Sequence, residues 1–313
     1  AQSAPRSYLT HRAPNPPPPY EGGVAGLAAT KPAAGQRLDV DASAVQAYVN
    51  YLDAKQADVM STVPGAEITN EYKVVFNGFS AMLTDDEVRA LKKNSKVAAI
   101  TADSILQLDT SYTPGFIGLD GPNGLWAKLG GPGAAGEDMI IGIVDSGIWP
   151  EHASFADRVD SATGTPSHTG DQLVYSAPPS TWKGACDTGE GFSASNCNNK
   201  LIGARYFKAA NQQLHWTEFA SARDSVAGVE GKGGHGTHTA STAGGNAGTP
   251  AVTNGLSLGK VSGMAPRARI AAYKVCWSSG TTTASNGCAT SNSVAAIEQA
   301  VKDGVNVINF SIG

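Results

Sequence analysis

The composition of the chain favours a packed globular protein and excludes several classes of function. Its 313 residues are enough for one large domain and a smaller one, and 41% are hydrophobic while 16% are charged. The net charge of −4 and the absence of a sustained basic run do not indicate a positively charged surface that could bind nucleic acid. No apolar run approaches the roughly 18 residues that a membrane-spanning helix needs. We therefore expect neither a nucleic-acid partner nor a membrane partner.

The first 109 residues predict a small α+β domain of the ferredoxin-like type. Residues 1–40 are partly irregular and rich in proline. The segment Tyr72–Leu83 predicts two strands joined by a turn at Asn77-Gly78. Thr84 and Glu87 form a capping-box pattern that opens a helix. The remaining predicted elements are a first strand at Tyr8-Leu9, a helix from Ala42 and a last strand at Val97–Ile100, which gives the order β-α-β-β-α-β.

Residues 110–313 predict an α/β domain with a doubly wound, mostly parallel sheet. Asp138–Val144 is almost continuously apolar, as is typical of a buried parallel strand, and Asp145 stands at its carboxyl end. Further strands are predicted at Lys200–Phe207, Ala271–Val275 and Val305–Gly313, with helices at Thr237–Ala243 and Ser293–Lys302. This alternation of strands and helices favours parallel pairing. Because the last strand is predicted to be buried, we expect further elements of the same protein C-terminal to it.

Four cysteines lie in two local pairs along the chain. Three pairings are open on paper, and the low cost of closing short loops favours Cys186 with Cys197 and Cys276 with Cys288. Neither spacing resembles a zinc site, so two disulfides and an oxidising compartment are the preferred interpretation. The chain starts at Ala1 without an initiator Met. Both observations fit a secreted protein whose signal peptide has been removed.

A glycine-rich loop places His235 at the start of a helix of small residues. Glycines on both sides of His235 allow tight turns and the close approach of another chain segment. A histidine at the mouth of a buried helix suits general-base work, because its side chain titrates near neutrality. Taken alone, His235 is more simply interpreted as a helix-start residue that satisfies backbone groups. A hydrogen bond from His235 to Asp145 would favour the catalytic interpretation, since a carboxylate bound to the imidazole ring fixes its tautomer and stabilises the imidazolium.

Both motifs resemble those of the subtilisin family of serine proteases, most closely its plant cucumisin-like branch and bacterial relatives. They are Asp145-Ser-Gly-Ile-Trp-Pro-Glu151 and Gly234-His-Gly-Thr-His-Thr-Ala240. The resemblance covers nearly all of residues 68–313, whereas residues 1–67 share only its layout. It implies that Asp145 and His235 are catalytic and that His238 is structural.

The same resemblance divides the chain and assigns further residues. It implies an inhibitory, chaperone-like propeptide at 1–109 and the N-terminal part of the catalytic domain at 110–313. The propeptide would be cut between Asp109 and Thr110, after which its tail occupies the substrate subsites. Ser311, Ile312 and Gly313 resemble the strand that pairs with an extended peptide substrate.

Two elements of the family are missing from the 313 residues. The nucleophile motif Gly-Thr-Ser-Met-Ala occurs nowhere, and Ser262-Gly-Met-Ala265 matches a different family element. No asparagine stands where the oxyanion donor belongs, and Asn306 and Asn309 are expected to form local hydrogen bonds. The serine and the oxyanion asparagine are therefore expected C-terminal to Gly313. By itself the chain is predicted to have no peptidase activity.

The leading prediction is a secreted serine endopeptidase zymogen. Its expected partners are protein or peptide substrates, its own propeptide as an intramolecular inhibitor, and the missing C-terminal part of the same protein. A catalytically inactive homologue, or an inhibitor module acting through the propeptide, is the first alternative. A nucleotide-binding protein is the second, although no dinucleotide or P-loop glycine motif is present.

No cofactor is expected to be required, and no residue is predicted to bind a metal. Relatives in the subtilisin family often bind structural calcium, but no acidic cluster here has the spacing of a calcium loop. Asp224 and Glu230 are expected to be solvated loop charges.

Overall fold

A computed structural model describes residues 4–13, 18–33, 36, 38–103, 105–106, 117–209, 212–225, 233–253, 256–279 and 286–313. The chain forms two compact units. The first unit comprises Ala1–Ser104 and Ala289–Glu298, and the second comprises Ile105–Cys288 and Gln299–Gly313. Among the helices within the described ranges, none combines the length and apolar character needed to span a bilayer.

The first unit contains the predicted ferredoxin-like arrangement. Its four-stranded sheet has the order β2-β3-β1-β4 and its pairs are antiparallel, with two helices between the strands in sequence. The elements are β1 (Arg6–Arg12), α1 (Ser43–Met60), β2 (Glu67–Tyr72), β3 (Gly78–Leu83), α2 (Asp85–Lys93) and β4 (Val97–Ala102). One core cluster centres on Phe79, Leu83 and Leu91, which are fully buried. The β-α-β-β-α-β prediction is confirmed.

The capping box at the start of α2 is also present. The Thr84 hydroxyl accepts a hydrogen bond from Glu87 N at 3.3 Å, and the Glu87 carboxylate accepts one from Thr84 N at 2.8 Å. Two of the backbone N–H groups that a helix start leaves unpaired are thereby satisfied.

Strands β2 and β3 form a hairpin, but the prediction of a turn at Asn77-Gly78 was wrong. The first strand ends at Tyr72, and Gly78 already pairs with Tyr72 instead of forming the turn. A Cβ at Gly78 would lie 2.0 Å from Thr10 O, so this glycine is needed for close strand packing. Asn77 is fully buried and accepts a hydrogen bond from Gln56 Nε2 at 3.0 Å. The Asn-Gly pair therefore serves tertiary packing here, which its turn preference does not reveal.

The second unit is built on a parallel four-stranded sheet with the order β10-β13-β6-β16. These strands are β6 (Ile140–Asp145), β10 (Leu201–Tyr206), β13 (Arg269–Lys274) and β16 (Val307–Asn309). Every residue of β6 and β13 is buried, as expected for parallel strands covered on both faces. The prediction of an α/β fold with a mostly parallel sheet is confirmed.

Shorter elements surround this sheet. Two helices are α3 (Leu125–Lys128) and α4 (His235–Gly244), and α5 (Thr290–Asp303) has residues in both units. The remaining strands are β5 (Ile105–Leu106), β7 (Arg158–Asp160), β8 (Thr165–Pro166), β9 (Gln172–Leu173), β11 (Thr249–Thr253), β12 (Leu256–Val261), β14 (Cys276–Trp277) and β15 (Gly287–Ala289).

Strand β16 is shorter than predicted. The sequence predicted a buried strand over Val305–Gly313, whereas the structure pairs only Val307–Asn309 with β6. Val307 is 52% exposed, because β16 lies at the edge of the sheet. An apolar sequence shows that a strand is suited to burial, but not that a neighbour covers it.

Helix α4 packs closely on the sheet because its residues are small. Ala240 is fully buried, and a Cβ at Gly244 would lie 2.8 Å from Ile270 Cδ1. Larger side chains would hold the helix away from β6 and β13. The predicted deep packing of this helix is confirmed.

Both favoured cysteine pairs are disulfides in the structure, Cys186 with Cys197 and Cys276 with Cys288. The second bond joins residues that face each other on β14 and β15.

Candidate active site

Asp145 and His235 lie next to each other, as their motifs predicted. His235 Nδ1 is 2.9 Å from Asp145 Oδ1 and 3.2 Å from Oδ2. Since an ionised carboxylate can only accept, Nδ1 of a neutral His235 must carry the proton, and Nε2 is then the basic nitrogen. The His235 side chain is 11% exposed, and that of Asp145 is fully buried. This arrangement suits a general base whose tautomer is fixed by a carboxylate.

The Asp145 carboxylate has partners besides His235. Ser146 N donates to Oδ1 at 2.7 Å, and Thr239 Oγ1 donates to Oδ2 at 3.1 Å. Asp145 ends β6, and Thr239 lies one turn into α4, so a strand end and a helix together supply the donors. A buried carboxylate needs several such hydrogen bonds to compensate for its loss of water.

Glycines bring the start of α4 against the loop after β6. Gly234 has a φ of +86°, a left-handed conformation that directs the chain into the helix. A Cβ at Gly236 would lie 2.2 Å from Gly147 O. Gly147 itself has a φ of +115°, where a side chain would be strained. The close approach predicted from these glycines is therefore present at Gly236.

Asp224 was wrongly expected to be a solvated loop charge. It is 1% exposed, and its carboxylate accepts hydrogen bonds from Ser146 and from residues at the start of α4. Its role was missed because a short polar segment between two motifs carries no periodicity that reports burial. Glu230, the other residue in that expectation, lies outside the described residues.

The segment around Asp224 is held by charged side chains that the sequence did not single out. Arg223 donates to both oxygens of Glu151, at 2.9 and 2.6 Å, and its guanidinium lies 4.8 Å from the centre of the Trp149 ring. Lys274 Nζ, fully buried, donates to Glu218 at 2.6 Å and to Arg223 O at 2.7 Å. Arg stacked on an aromatic ring and paired with a carboxylate is a rigid contact.

The other predicted site residues are placed as follows. His238 is exposed on α4. Ser311 is half-buried and its hydroxyl donates to Asn309 Oδ1 at 3.2 Å, Ile312 is 7% exposed, and Gly313 is exposed. Asn306 Oδ1 accepts from Ile140 N at 2.9 Å, so its partner is on the neighbouring strand and is not local in sequence as expected. The predicted cleavage residues Asp109 and Thr110 lie outside the described residues.

An open, mainly apolar cavity of about 530 Å³ lies beside α4, and its lining includes Thr239, whose hydroxyl donates to Asp145. The lining also includes Met139, Ile141, Ala243, Met264 and Val307. Met139 is 39% exposed. Within the described ranges, no three His, Cys, Asp or Glu side chains converge in a way that could hold a metal ion.

Comparison with known proteins agrees with these observations. Residues 136–313 match the Subtilase family (peptidase S8), and residues 29–109 match the peptidase inhibitor I9 family. Subtilisin-like protease SBT1.6 of Arabidopsis thaliana is 40% identical over 254 residues, which are 79% of this chain and 29% of that protein. Subtilisin-like protease SBT1.2 of the same plant is 41% identical over 260 residues, which are 80% of this chain and 29% of that protein. The chain thus spans less than a third of the length of these relatives.

A solved structure of fervidolysin from Fervidobacterium pennivorans, a keratinolytic enzyme related to subtilisin, is a distant match. The alignment covers all of this chain and 36% of the fervidolysin chain, at 12% sequence identity and a TM-score of 0.43. The match supports no conclusion. The match over residues 136–313, more than half of the chain, shows instead that the chain belongs to the subtilase family.

Proposed function

We propose that this chain is the N-terminal part of a secreted serine endopeptidase zymogen that hydrolyses peptide bonds through an Asp-His-Ser triad. The observation that carries the proposal is the 2.9 Å hydrogen bond between His235 Nδ1 and Asp145 Oδ1. It supplies the base and its orienting carboxylate in the tautomer that the reaction needs. The serine and the oxyanion asparagine would come from the region of the protein C-terminal to Gly313.

In the proposed reaction His235 transfers two protons, one when the acyl-enzyme forms and one when it is hydrolysed. Nε2 takes the proton of the serine hydroxyl as its oxygen attacks the scissile carbonyl carbon. The imidazolium, stabilised by Asp145, then gives that proton to the leaving amine as the peptide C–N bond breaks. Nε2 then takes a proton from water as the water oxygen attacks the acyl carbon, and gives this second proton to the serine oxygen as the acyl C–O bond breaks. No metal or cofactor takes part in this proposal.

The remaining parts of the site are assigned to substrate and maturation. The backbone of Ser311–Gly313 would pair with an extended peptide, so specificity comes from pockets for its side chains. Residues 1–109 would act as the intramolecular inhibitor, released by cleavage between Asp109 and Thr110. The match of residues 29–109 to the inhibitor I9 family supports that role. The apolar cavity beside α4, with Val307 52% exposed near it, is a suitable packing surface for the C-terminal region.

Labelling by a serine-reactive fluorophosphonate tests the proposal on the protein that includes the region following Gly313. We expect the mature enzyme to be labelled C-terminal to Gly313 and to hydrolyse peptides. Asp145→Asn should lower kcat by about 10⁴-fold, because the His235 tautomer is no longer fixed. A mature N-terminus far from Thr110 would contradict the cleavage assignment. An unlabelled protein without hydrolysis would instead support the catalytically inactive homologue.

A further inference from the structure

We propose that Asp224, acting through Ser146, is a positioning residue that fixes the geometry of the Asp145–His235 pair. The catalytic meaning of this role rests on the proposed function, whereas the geometric role does not. Asp224 is 1% exposed and touches neither Asp145 nor the His235 ring in the hydrogen bonds of the site. Among the described residues, its carboxylate accepts one hydrogen bond from Ser146 in the loop after β6, three from Gly234 and Thr237 at the start of α4, and one from Ser225 N beside it.

The start of helix α4, which carries His235, depends on Asp224 for hydrogen-bond partners. A helix start leaves backbone N–H groups unpaired, and the N-cap side chain normally satisfies some of them. The N-cap of α4 is Gly234, which has no side chain to do so. Asp224 replaces it by accepting from Gly234 N at 3.3 Å and from Thr237 N at 3.0 Å. Its negative charge at this end also complements the helix dipole.

Ser146 connects three parts of the site. Its hydroxyl donates to Asp224 Oδ1 at 3.0 Å and accepts from Gly236 N at 2.7 Å. Its backbone N–H donates to Asp145 Oδ1 at 2.7 Å. One residue thus joins the catalytic carboxylate, the first turn of α4 and Asp224, so a displacement of Asp224 is passed to both members of the pair.

Asp224 is itself held in place by hydrogen bonds to its backbone. Its backbone N–H donates to Ile148 O at 3.0 Å, and Ile148 N donates to Ala222 O at 3.0 Å. Lys274 Nζ holds the preceding carbonyl, Arg223 O, at 2.7 Å. A carboxylate whose preceding peptide group is held at both its N–H and its C=O can define the position of α4 instead of following it.

The chemistry of the site requires a carboxylate at this position. Oδ1 receives Ser146 Oγ, Ser225 N and Gly234 N, and Oδ2 receives both the N–H and the hydroxyl of Thr237. An asparagine has one acceptor oxygen and one NH2 group. In either orientation of the side chain, the NH2 group would face N–H or O–H donors that need an acceptor. Asp224→Asn therefore leaves buried N–H groups unpaired, and the first turn of α4 must shift to find partners.

The test compares Asp224→Asn and Ser146→Ala with the parent protein that includes the region following Gly313. The control is Asp303→Asn, because Asp303 is also buried (2% exposed) and accepts hydrogen bonds, from Arg205 and Tyr273, but none from α4. Two readouts are measured in each protein. One is the downfield NMR signal of the His235 Nδ1 proton, assigned by its loss in Asp145→Asn. The other is kcat and KM for a peptide substrate over a range of pH.

We expect both Asp224→Asn and Ser146→Ala to weaken or shift the Nδ1 signal. Asp224→Asn should also lower kcat by about 10- to 100-fold with little change in KM, as a small misplacement of the base does. Asp303→Asn should lower thermal stability and leave the signal and kcat unchanged. Retention of the parental signal and kcat in Asp224→Asn overturns the proposal.

The outcomes separate this proposal from the proposed function. If the parent protein shows the Nδ1 signal but hydrolyses nothing, the proposed function fails, and loss of the signal in Asp224→Asn still supports positioning. If Asp224→Asn does not fold, Ser146→Ala decides the matter, because it removes only one hydroxyl and keeps the backbone donor to Asp145. An unchanged signal and an unchanged kcat in a folded Ser146→Ala protein would then overturn the positioning role.

Discussion

Lys200 is a buried amine whose protonation should be coupled to the stability of the fold. It is fully buried in the second unit, where Nζ donates to Pro266 O at 2.8 Å and to Ala268 O at 2.5 Å. Burial lowers the pKa of Lys200 well below that of a free lysine, and the nearby Arg267 and Arg269 lower it further, while Glu137 opposes them. The folded protein therefore releases this proton at a lower pH than the unfolded protein does.

We expect Lys200→Met to remove an alkaline rise in stability. Between the lowered pKa of Lys200 and the unfolded value of about 10.4, only the unfolded chain holds the proton, so the free energy of unfolding rises with pH. The parent should gain up to about 1.4 kcal/mol relative to Lys200→Met over the pH unit below 10. Urea denaturation at several pH values measures this difference, with Lys260→Met as an exposed control. A difference that stays constant with pH would contradict the prediction.

Residues differ in how well their roles can be predicted from sequence. Asp145 and His235 stand in extended motifs, so the amino-acid sequence alone predicts that they lie close together. Asp224, Lys200 and Lys274 were missed, because a charged residue in a short polar segment or at a strand end gives no local sign of burial. Their burial depends on partners such as Glu218 and Ser146, which are distant in sequence.

At the element scale, the closeness of α4 to the loop after β6 depends on one glycine. A Cβ at Gly236 would lie 2.2 Å from Gly147 O and 2.8 Å from Gly147 N, both of them backbone atoms. Because both contacts are with the backbone of Gly147, no flexible side chain can move aside to make room. Gly236→Ala must therefore push the helix start away from β6.

We expect Gly236→Ala to lower the thermal midpoint of unfolding by several degrees and to weaken the His235 Nδ1 signal. An overpacked site typically costs about 1–3 kcal/mol, which corresponds to several degrees in a domain of this size. Gly133→Ala is the matched control, since a Cβ there has nothing within 4 Å. Calorimetry and NMR on the same samples measure the two effects. Equal midpoints for both variants would show that the helix start can relax.

Element boundaries show what local sequence can and cannot determine. The α2 capping box formed as predicted, because its two partners are three residues apart and need nothing else. The Asn77-Gly78 turn was wrong, because contacts with Gln56 and Thr10 from other elements decide the conformation there. Strand β16 was predicted over Val305–Gly313 but pairs with β6 only at Val307–Asn309, because the extent of pairing depends on the neighbouring strand as well as on its own residues.

At the scale of the whole molecule, the N-terminal segment and the start of α5 belong to one compact unit. Asp103 accepts a hydrogen bond from Ser291 N at 3.0 Å, one of the N–H groups in the first turn of α5, and another from Ser291 Oγ at 2.5 Å. Tyr72 OH donates to Ser291 O at 2.9 Å, and Lys73 N donates to Glu298 Oε2 at 3.1 Å. Asp103 thus acts as a helix cap supplied from a distant part of the sequence.

We expect Asp103→Asn to loosen this cap. In the protein that includes the region following Gly313, it should also shorten the lag between the start of zymogen maturation and the appearance of peptide hydrolysis. A hydrogen bond to a charged group contributes about 1.5–3 kcal/mol, so the Ser291 amide should exchange its hydrogen about ten-fold or more faster. If residues 1–109 inhibit the enzyme through this unit, weaker capping also releases them sooner. Asp58→Asn is the control, because Asp58 pairs with Lys96 on the exposed surface of the same unit. Faster exchange with an unchanged lag would show that the cap stabilises α5 without controlling release. Unchanged exchange would show that Asp103 is not the cap.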